Sequence, residues 1–187
     1  MSPPSDDTAP NLRDLLRATA LFGHLDEAQL AALERRLEWF ALPGGAELFA
    51  AGDTSDALYL LRSGSLGAFR MPPGGGAPEP IGVIAAGETV GELGLVANQP
   101  RTAGVRALRD SELLRLSREA FDELVATQPR AMLEAARIAV VRLFARTSGE
   151  TISAPRTLAV LPQSAGIDAA GFARELAAAL SAYGRCA

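Results

Sequence analysis

The chain has 187 residues, enough for one ordinary domain and the beginning of another but not for two large ones. With 48% hydrophobic and 21% charged residues it can bury a core, which excludes a wholly disordered protein. All 18 basic residues are arginine and stand against 22 acidic ones, a net charge of -4 that argues against nucleic acid as a partner.

Residues 1–11 are rich in Pro, Ser and Asp, read as a loose tail, and lack the hydrophobic core of a secretory signal. From Leu12 to Phe40 the period is helical: Leu15, Leu16, Leu30, Leu33 and Leu37 recur three or four apart, with a break at Gly23. Asp26 is placed to cap a helix over 27–38. His24 has no Cys or His partner at metal-ligand spacing and reads as structural, so no metal site is expected.

The period then changes. Short apolar stretches at Leu58–Leu61, Leu66–Phe69, Ile81–Ile84, Val105–Leu108 and Glu112–Leu116 are punctuated by Gly44, Gly45, Gly52, Gly64, Gly87, Gly91 and Gly104. That spacing predicts the strands of a compact β barrel or sandwich. MPPGGGAPEP, residues 71–80, predicts a hairpin tip. Helical period returns at Ser117, an N-cap, and Pro129 starts a second helix ended by Gly149. On that helix Leu133, Ala136, Val140 and Phe144 make an apolar stripe, while Arg130, Arg137 and Arg146 lie off it. The stripe suits core or a dimer seam. Thr157–Leu161 reads as a buried strand and Ala169–Tyr183 as an alanine-rich helix. No stretch of about 18 uncharged apolar residues is present to span a membrane. The single cysteine, Cys186, excludes an internal disulfide framework and fits a reducing compartment, the cytoplasm.

One stretch carries the chemistry: GETVGELGLVANQPRTAGVRA, residues 87–107. Gly91 permits close backbone approach, and Gly91-Glu92-Leu93-Gly94 leads into a helical turn whose N–H groups can hold an anion. Arg101, after Pro100, brings a guanidinium fork suited to phosphate. Glu92 repels phosphate but accepts hydrogen bonds from a sugar hydroxyl. A carboxylate for ribose and an arginine for phosphate on one loop describe a nucleotide clamp.

Gly91-Glu92-Leu93-Gly94-Leu95-Val96, the loop from Ala97 to Pro100, and Arg101-Thr102-Ala103 resemble the phosphate-binding cassette of cyclic nucleotide-binding domains. These occur in catabolite activator proteins, protein kinase A regulatory subunits and nucleotide-gated channels; the spacing here resembles that of the kinase subunits. The wider likeness spans 20–148 through Leu21-Phe22-Gly23, Ala51-Gly52-Asp53, the run from Leu58 to Gly64, and Gly87-Glu88. The resemblance implies an α+β fold, a double-stranded β-helix (a jelly-roll-like β roll) flanked by N- and C-terminal helices. It implies that Glu92 accepts from the ribose 2′-hydroxyl and that Arg101 pairs with the cyclic phosphate. Backbone at Gly91, Leu93, Gly94, Thr102 and Ala103 would complete the cradle, and Gly82 and Ile84 would line the base. Val90 departs from the usual Phe, a change expected to affect packing and not contact. Thr102 is compatible with either cAMP or cGMP.

The segment RTLAVLPQSAGIDAAGFARELAAALSAYG resembles the linker before the catalytic domain of neuropathy-target-esterase-like, patatin-type phospholipases. This implies three parts: a tail and helix start over 1–19, a cyclic nucleotide-binding domain over 20–148, and a linker with the start of an α/β domain over 149–187. It implies a regulatory module without cofactor, acting on a downstream lipid hydrolase of the same polypeptide, with dimerisation through helix 129–148 as a further expectation. Such a hydrolase domain would also allow association with membranes. The chain itself is not expected to be an enzyme: its nearest approach to a Gly-x-Ser-x-Gly elbow, around Ser164, has Pro162 where the first glycine belongs. The alternatives are a ligand-free packing domain of the same fold, or a fragment of a transcription regulator. The second would require a basic recognition helix, and 169–183 carries only Arg174 against Glu175.

Overall fold

The computed structural model describes residues 11–147, apart from Pro73 and Gly75, and residues 168–180. The predicted strand at Thr157–Leu161, the Ser164 turn and Cys186 lie outside the described residues. The chain divides into two units, Met1–Ile152 and Ser153–Ala187. The second is described through one helix, Ala169–Leu180, with Asp168 accepting from the Gly171 N–H at its start.

The first unit opens with two short helices, α1 (Leu12–Ala18) and α2 (Glu27–Glu34). Asp26 caps α2 as its sequence predicts, within a full capping box: its carboxylate accepts from Gln29 N, while the Asp26 N–H donates to the Gln29 side chain. The predicted continuation of this helix to residue 38 is wrong. The chain leaves α2 at Arg35 and enters strand β1 (Leu37–Leu42), in which Leu37 to Leu42 pair with Leu116 to Ser111. Leu37 sits four residues after Leu33 and mimics a helical repeat, but the aromatic Trp39 and Phe40 beside it favour the pleated surface.

Short β2 (Glu47–Phe49) follows, and then the long β3 (Ala57–Arg70). β4 (Glu79–Ile84) and the two-residue β5 (Thr89–Val90) precede helix α3 (Glu92–Ala97), and β6 (Gly104–Ser117) closes the β region. All pairings are antiparallel, with sheet order β1-β6-β3-β4, β2 against β6 and β5 against β3. The stretches predicted as separate strands at 58–61 and 66–69 are halves of β3, and those at 105–108 and 112–116 are halves of β6. These two strands pair along most of their length and break register around Ser63 and Ser65. Gly64 lies within that break. Its φ of 100° is left-handed, and a Cβ there would stand 2.6 Å from the Ser111 Cα and 2.7 Å from the Asp110 carbonyl oxygen. Only glycine fits.

Period-2 alternation divides the core. Leu58 and Leu60 of β3, with Leu114 and Leu116 of β6, pack on the helical side with Leu16, Phe22, Leu30 and Phe121. Ala57, Tyr59, Leu61 and Leu66 turn into the roll against Val105, Ala107 and Leu113. Both faces of 57–61 are therefore buried, which is why that segment is a continuous apolar run.

Helices α4 (Arg118–Thr127) and α5 (Pro129–Thr147) complete the unit. Ser117 caps α4 by accepting from Ala120 N, as predicted. The face that α5 buries is not the predicted stripe. Ala131, Ala135 and Ala139 are buried, whereas Leu133, Val140 and Phe144 are exposed. Small side chains let α5 approach closely, and Ile138 joins them against the core, while Leu133, Val140 and Phe144 face outward.

Candidate functional site

β5 delivers the chain to Gly91, whose φ of 97° starts α3 from the left-handed region. Any Cβ at Gly91 would also strike the Arg101 guanidinium, so conformation and space both demand glycine there. Beyond α3 the chain turns at Asn98, also left-handed at φ 49°, and runs through Pro100 to Arg101. Loop 50–55 pins this return. Arg101 N donates to the Asp53 carbonyl at 2.8 Å, Gly52 N to the Arg101 carbonyl at 2.8 Å, and Ser55 Oγ to the Gln99 carbonyl at 2.8 Å. The Asp53 carboxylate in turn accepts from Ala50 N. The Ala51-Gly52-Asp53 turn thus holds the cassette in place through backbone contacts.

A cavity of about 260 Å³ opens between β4, the start of α3 and α5. That is close to the lower bound, about 300 Å³, for sites that enclose a small molecule. Gly82, Ile84, Gly91, Glu92, Leu93, Gly94, Thr102 and Ala103 all line it, so eight of the residues singled out in the sequence meet around one space. Val90 lines it too, so its packing in the core also shapes the cavity wall.

Arg101 is the exception. It is 4% exposed and does not line the cavity. Its guanidinium packs behind the Gly91 turn and donates to Asp56 Oδ1 at 3.1 Å, to the Ala57 carbonyl at 2.8 Å and to the Gly91 carbonyl at 3.2 Å. It also stacks over the Phe49 ring at 4.2 Å. Burial pulls its pKa below the usual arginine value, opposed by Tyr59 and Asp56.

Asp56 takes a second arginine. Its Oδ2 accepts from Arg115 at 3.1 Å, and Arg115 reaches Glu38 Oε2 at 3.0 Å. Burial works to raise the Asp56 carboxyl, but the hydrogen bond from Arg115 and the charges of Arg115 and Arg101 outweigh it and hold it low. A carboxyl depressed by folding stabilises above its unfolded pKa, near 3.9, and that contribution is lost as pH falls through the lower folded value. We therefore expect acid to loosen the Asp56 anchor of Arg101. In denaturant unfolding followed from neutral pH down to about pH 3, Asp56→Asn will start less stable and decline less steeply than wild type. Parallel curves would show that this carboxylate does not couple to folding.

Glu92 is 2% exposed and lies in the cavity wall. Its Oε1 accepts from Arg142 Nη1 at 2.7 Å, across from α5. Its Oε2 is buried with no hydrogen-bond partner. Arg142 lines the cavity as well, and the sequence reading passed it over. It stands seven and three residues after the buried Ala135 and Ala139, on the same face of α5. Among the described residues no cluster of His, Cys, Asp and Glu could hold a metal ion, and no helix is long and apolar enough to cross a membrane.

An antiparallel β roll, capped by helices and interrupted by a glycine-started helical turn above a cavity, defines the cyclic nucleotide-binding fold. The model of the cyclic nucleotide-binding domain matches residues 39–128, and this domain belongs to that family. Among solved structures it is similar to the regulatory domain of Toxoplasma gondii PKA with cAMP: 30% identity, TM-score 0.59, covering 65% of this chain and 47% of that one. It is also similar to the catabolite activator protein of Thermus thermophilus, at 30% identity and TM-score 0.61, covering 67% of this chain and 59% of the other. Over 94% of its length the chain is 31% identical to an uncharacterized NTE family protein of Mycobacterium tuberculosis, of which it spans 29%. Over 90% it is 29% identical to a lysophospholipase nte1 of Aspergillus niger, of which it spans 12%.

Proposed function

We propose that this chain is a regulatory module that binds a 3′,5′-cyclic nucleotide, cAMP or cGMP, and reports its presence to a lipid hydrolase domain of a longer polypeptide. The observation that carries the reading is Glu92. A buried carboxylate with an unpartnered oxygen in a cavity wall is costly, about 1–3 kcal/mol for the stranded group. A ribose hydroxyl donating to that oxygen removes the cost.

In this reading the ribose sits at Glu92 and the base lies along β4 at Gly82 and Ile84. The phosphate rests against the backbone of Gly91, Leu93, Gly94, Thr102 and Ala103. Arg101 would serve the phosphate from behind the Gly91 turn, where its Nη1 already holds the Gly91 carbonyl. The similarity to a PKA regulatory domain solved with cAMP supports the ligand class. The NTE and lysophospholipase relatives, far longer than this chain, support a patatin-like hydrolase as the regulated partner. The chain itself acts as regulator and not as catalyst. The outward-facing Leu133 and Val140 of α5 supply an apolar surface for a second copy or for the hydrolase domain.

Thermal unfolding tests the ligand. A nucleotide at about 100 times its dissociation constant adds roughly 2.7 kcal/mol of stability. A rise in melting temperature with cAMP or cGMP, absent with the linear 5′-monophosphates, is expected. No rise with either would favour a ligand-free packing domain.

A further inference from the structure

We infer that Glu88 selects the base in this cavity and that the preferred ligand is the guanine nucleotide, cGMP. This rests on the nucleotide reading and narrows it from two ligands to one.

Three charged side chains belong to residues lining the cavity: Glu88, Glu92 and Arg142. Glu92 and Arg142 hold each other at 2.7 Å, whereas among the described residues no arginine pairs with Glu88. Backbone contacts fix its position. Glu88 closes the turn that leaves β4: its N–H donates to the Ala85 carbonyl at 3.1 Å, and its Oε2 accepts from Ala85 N at 2.7 Å. The turn is clipped to β3, with Gly87 N donating to the Leu61 carbonyl at 2.8 Å and Leu61 N to the Glu88 carbonyl at 2.9 Å. A carboxylate held in this way is oriented before any ligand arrives. Oε1 and the second lone pair of Oε2 are left to accept.

What can donate to it follows from the ligand's own groups. The cyclic phosphate takes up the 3′ and 5′ oxygens, so the sugar keeps only its 2′-hydroxyl, which the reading gives to Glu92. The phosphate offers acceptors alone. A donor for Glu88 therefore comes from the base, which lies along β4 in the same reading. Guanine presents N1–H and its 2-amino group side by side, a donor pair that matches a carboxylate. Adenine presents its 6-amino group beside N1, whose lone pair repels a carboxylate. Ile81, Val83 and Ile84 of β4 are apolar and treat the two purines alike. Of the charged groups, Glu88 is the one left to tell them apart.

Calorimetric titration of the full chain with cGMP, cAMP and cyclic inosine monophosphate, which keeps N1–H and lacks the 2-amino group, tests the assignment. Glu88 is exposed, so water competes for its oxygens. Wild type is expected to bind cGMP about tenfold more tightly than cAMP, the low end for a hydrogen bond to a charged acceptor. The inosine nucleotide falls between. Glu88→Gln can keep its oxygen on Ala85 N and turn its amide N–H to the base, donating to adenine N1 and opposing guanine N1–H. Its preference is expected to vanish or to invert toward cAMP. Glu92→Gln weakens both nucleotides alike, since both carry the ribose hydroxyl.

A wild type that binds the two equally, or cAMP more tightly, overturns the guanine assignment and leaves nucleotide binding standing. So does an unchanged ratio of the two affinities in a Glu88→Gln variant whose melting curve shows it folded, because a merely structural role moves both ligands together. A folded wild type that takes up neither nucleotide overturns the nucleotide reading and the assignment with it.

Discussion

Arg101→Ala will lower the stability of the domain by roughly 3 kcal/mol, before any question of ligand arises. The guanidinium is 4% exposed and holds Asp56, the Ala57 carbonyl and the Gly91 carbonyl at once. Removing one partner of a buried ionic contact costs about 3–5 kcal/mol. The lower end applies because the Asp56 side chain is 55% exposed and water can take the place of its lost partner. Against a typical total of about 5–15 kcal/mol this is a large fraction. Denaturant unfolding measures it directly, and a loss within about 0.5 kcal/mol, the range of ordinary surface substitutions, would contradict this packing role. The same substitution is expected to weaken nucleotide binding. Because it also loosens the Gly91 turn, binding loss in this variant alone does not locate the phosphate.

Glu92→Ala separates the two effects. Its carboxylate supports little of the fold: one oxygen reaches Arg142, which is 27% exposed, and the other has no partner. Removing a group already half unsatisfied costs little stability and relieves some burial of charge. Ligand binding depends on it far more. A hydrogen bond to a charged acceptor is worth about 1.5–3 kcal/mol, so affinity should fall by about one to two decades while the melting temperature moves little. Glu92 and Arg101 thus have opposite profiles. Arg101 governs mainly the fold, and Glu92 mainly the ligand. Loss of stability in Glu92→Ala comparable to that of Arg101→Ala would mean that the carboxylate is a structural anchor.

What could be read in advance followed from how strictly each position constrains its residue. Gly91 needs a positive φ and room for a guanidinium, so its identity is legible without a structure. Ser117 and Asp26 announce helix starts because their side chains fill backbone needs that few residues can meet. β2 and β5, three and two residues long, leave no measurable period and were invisible. β3 and β6 divide in half on sequence because Gly64 in the one and Arg109-Asp110-Ser111 in the other look like turns, whereas both strands pass through without leaving the sheet. The packed face of α5 was misread for a related reason. Alanine carries little hydropathy, so Leu133, Val140 and Phe144 outweigh Ala131, Ala135 and Ala139, although close approach to α3 and α4 favours the smaller side chains. Arg142 went with them. Its role depends on a partner 50 residues away, and its own neighbours in sequence carry no trace of that partner.

Calorimetric titration of the wild-type chain with cAMP and with cGMP asks whether the cavity lined by Glu92 takes a cyclic nucleotide. Saturable binding of at least one of them at one site per chain is expected, reduced by about one to two decades in Glu92→Ala. Absence of heat and of competition with either nucleotide, in a chain whose melting curve shows it folded, would contradict it.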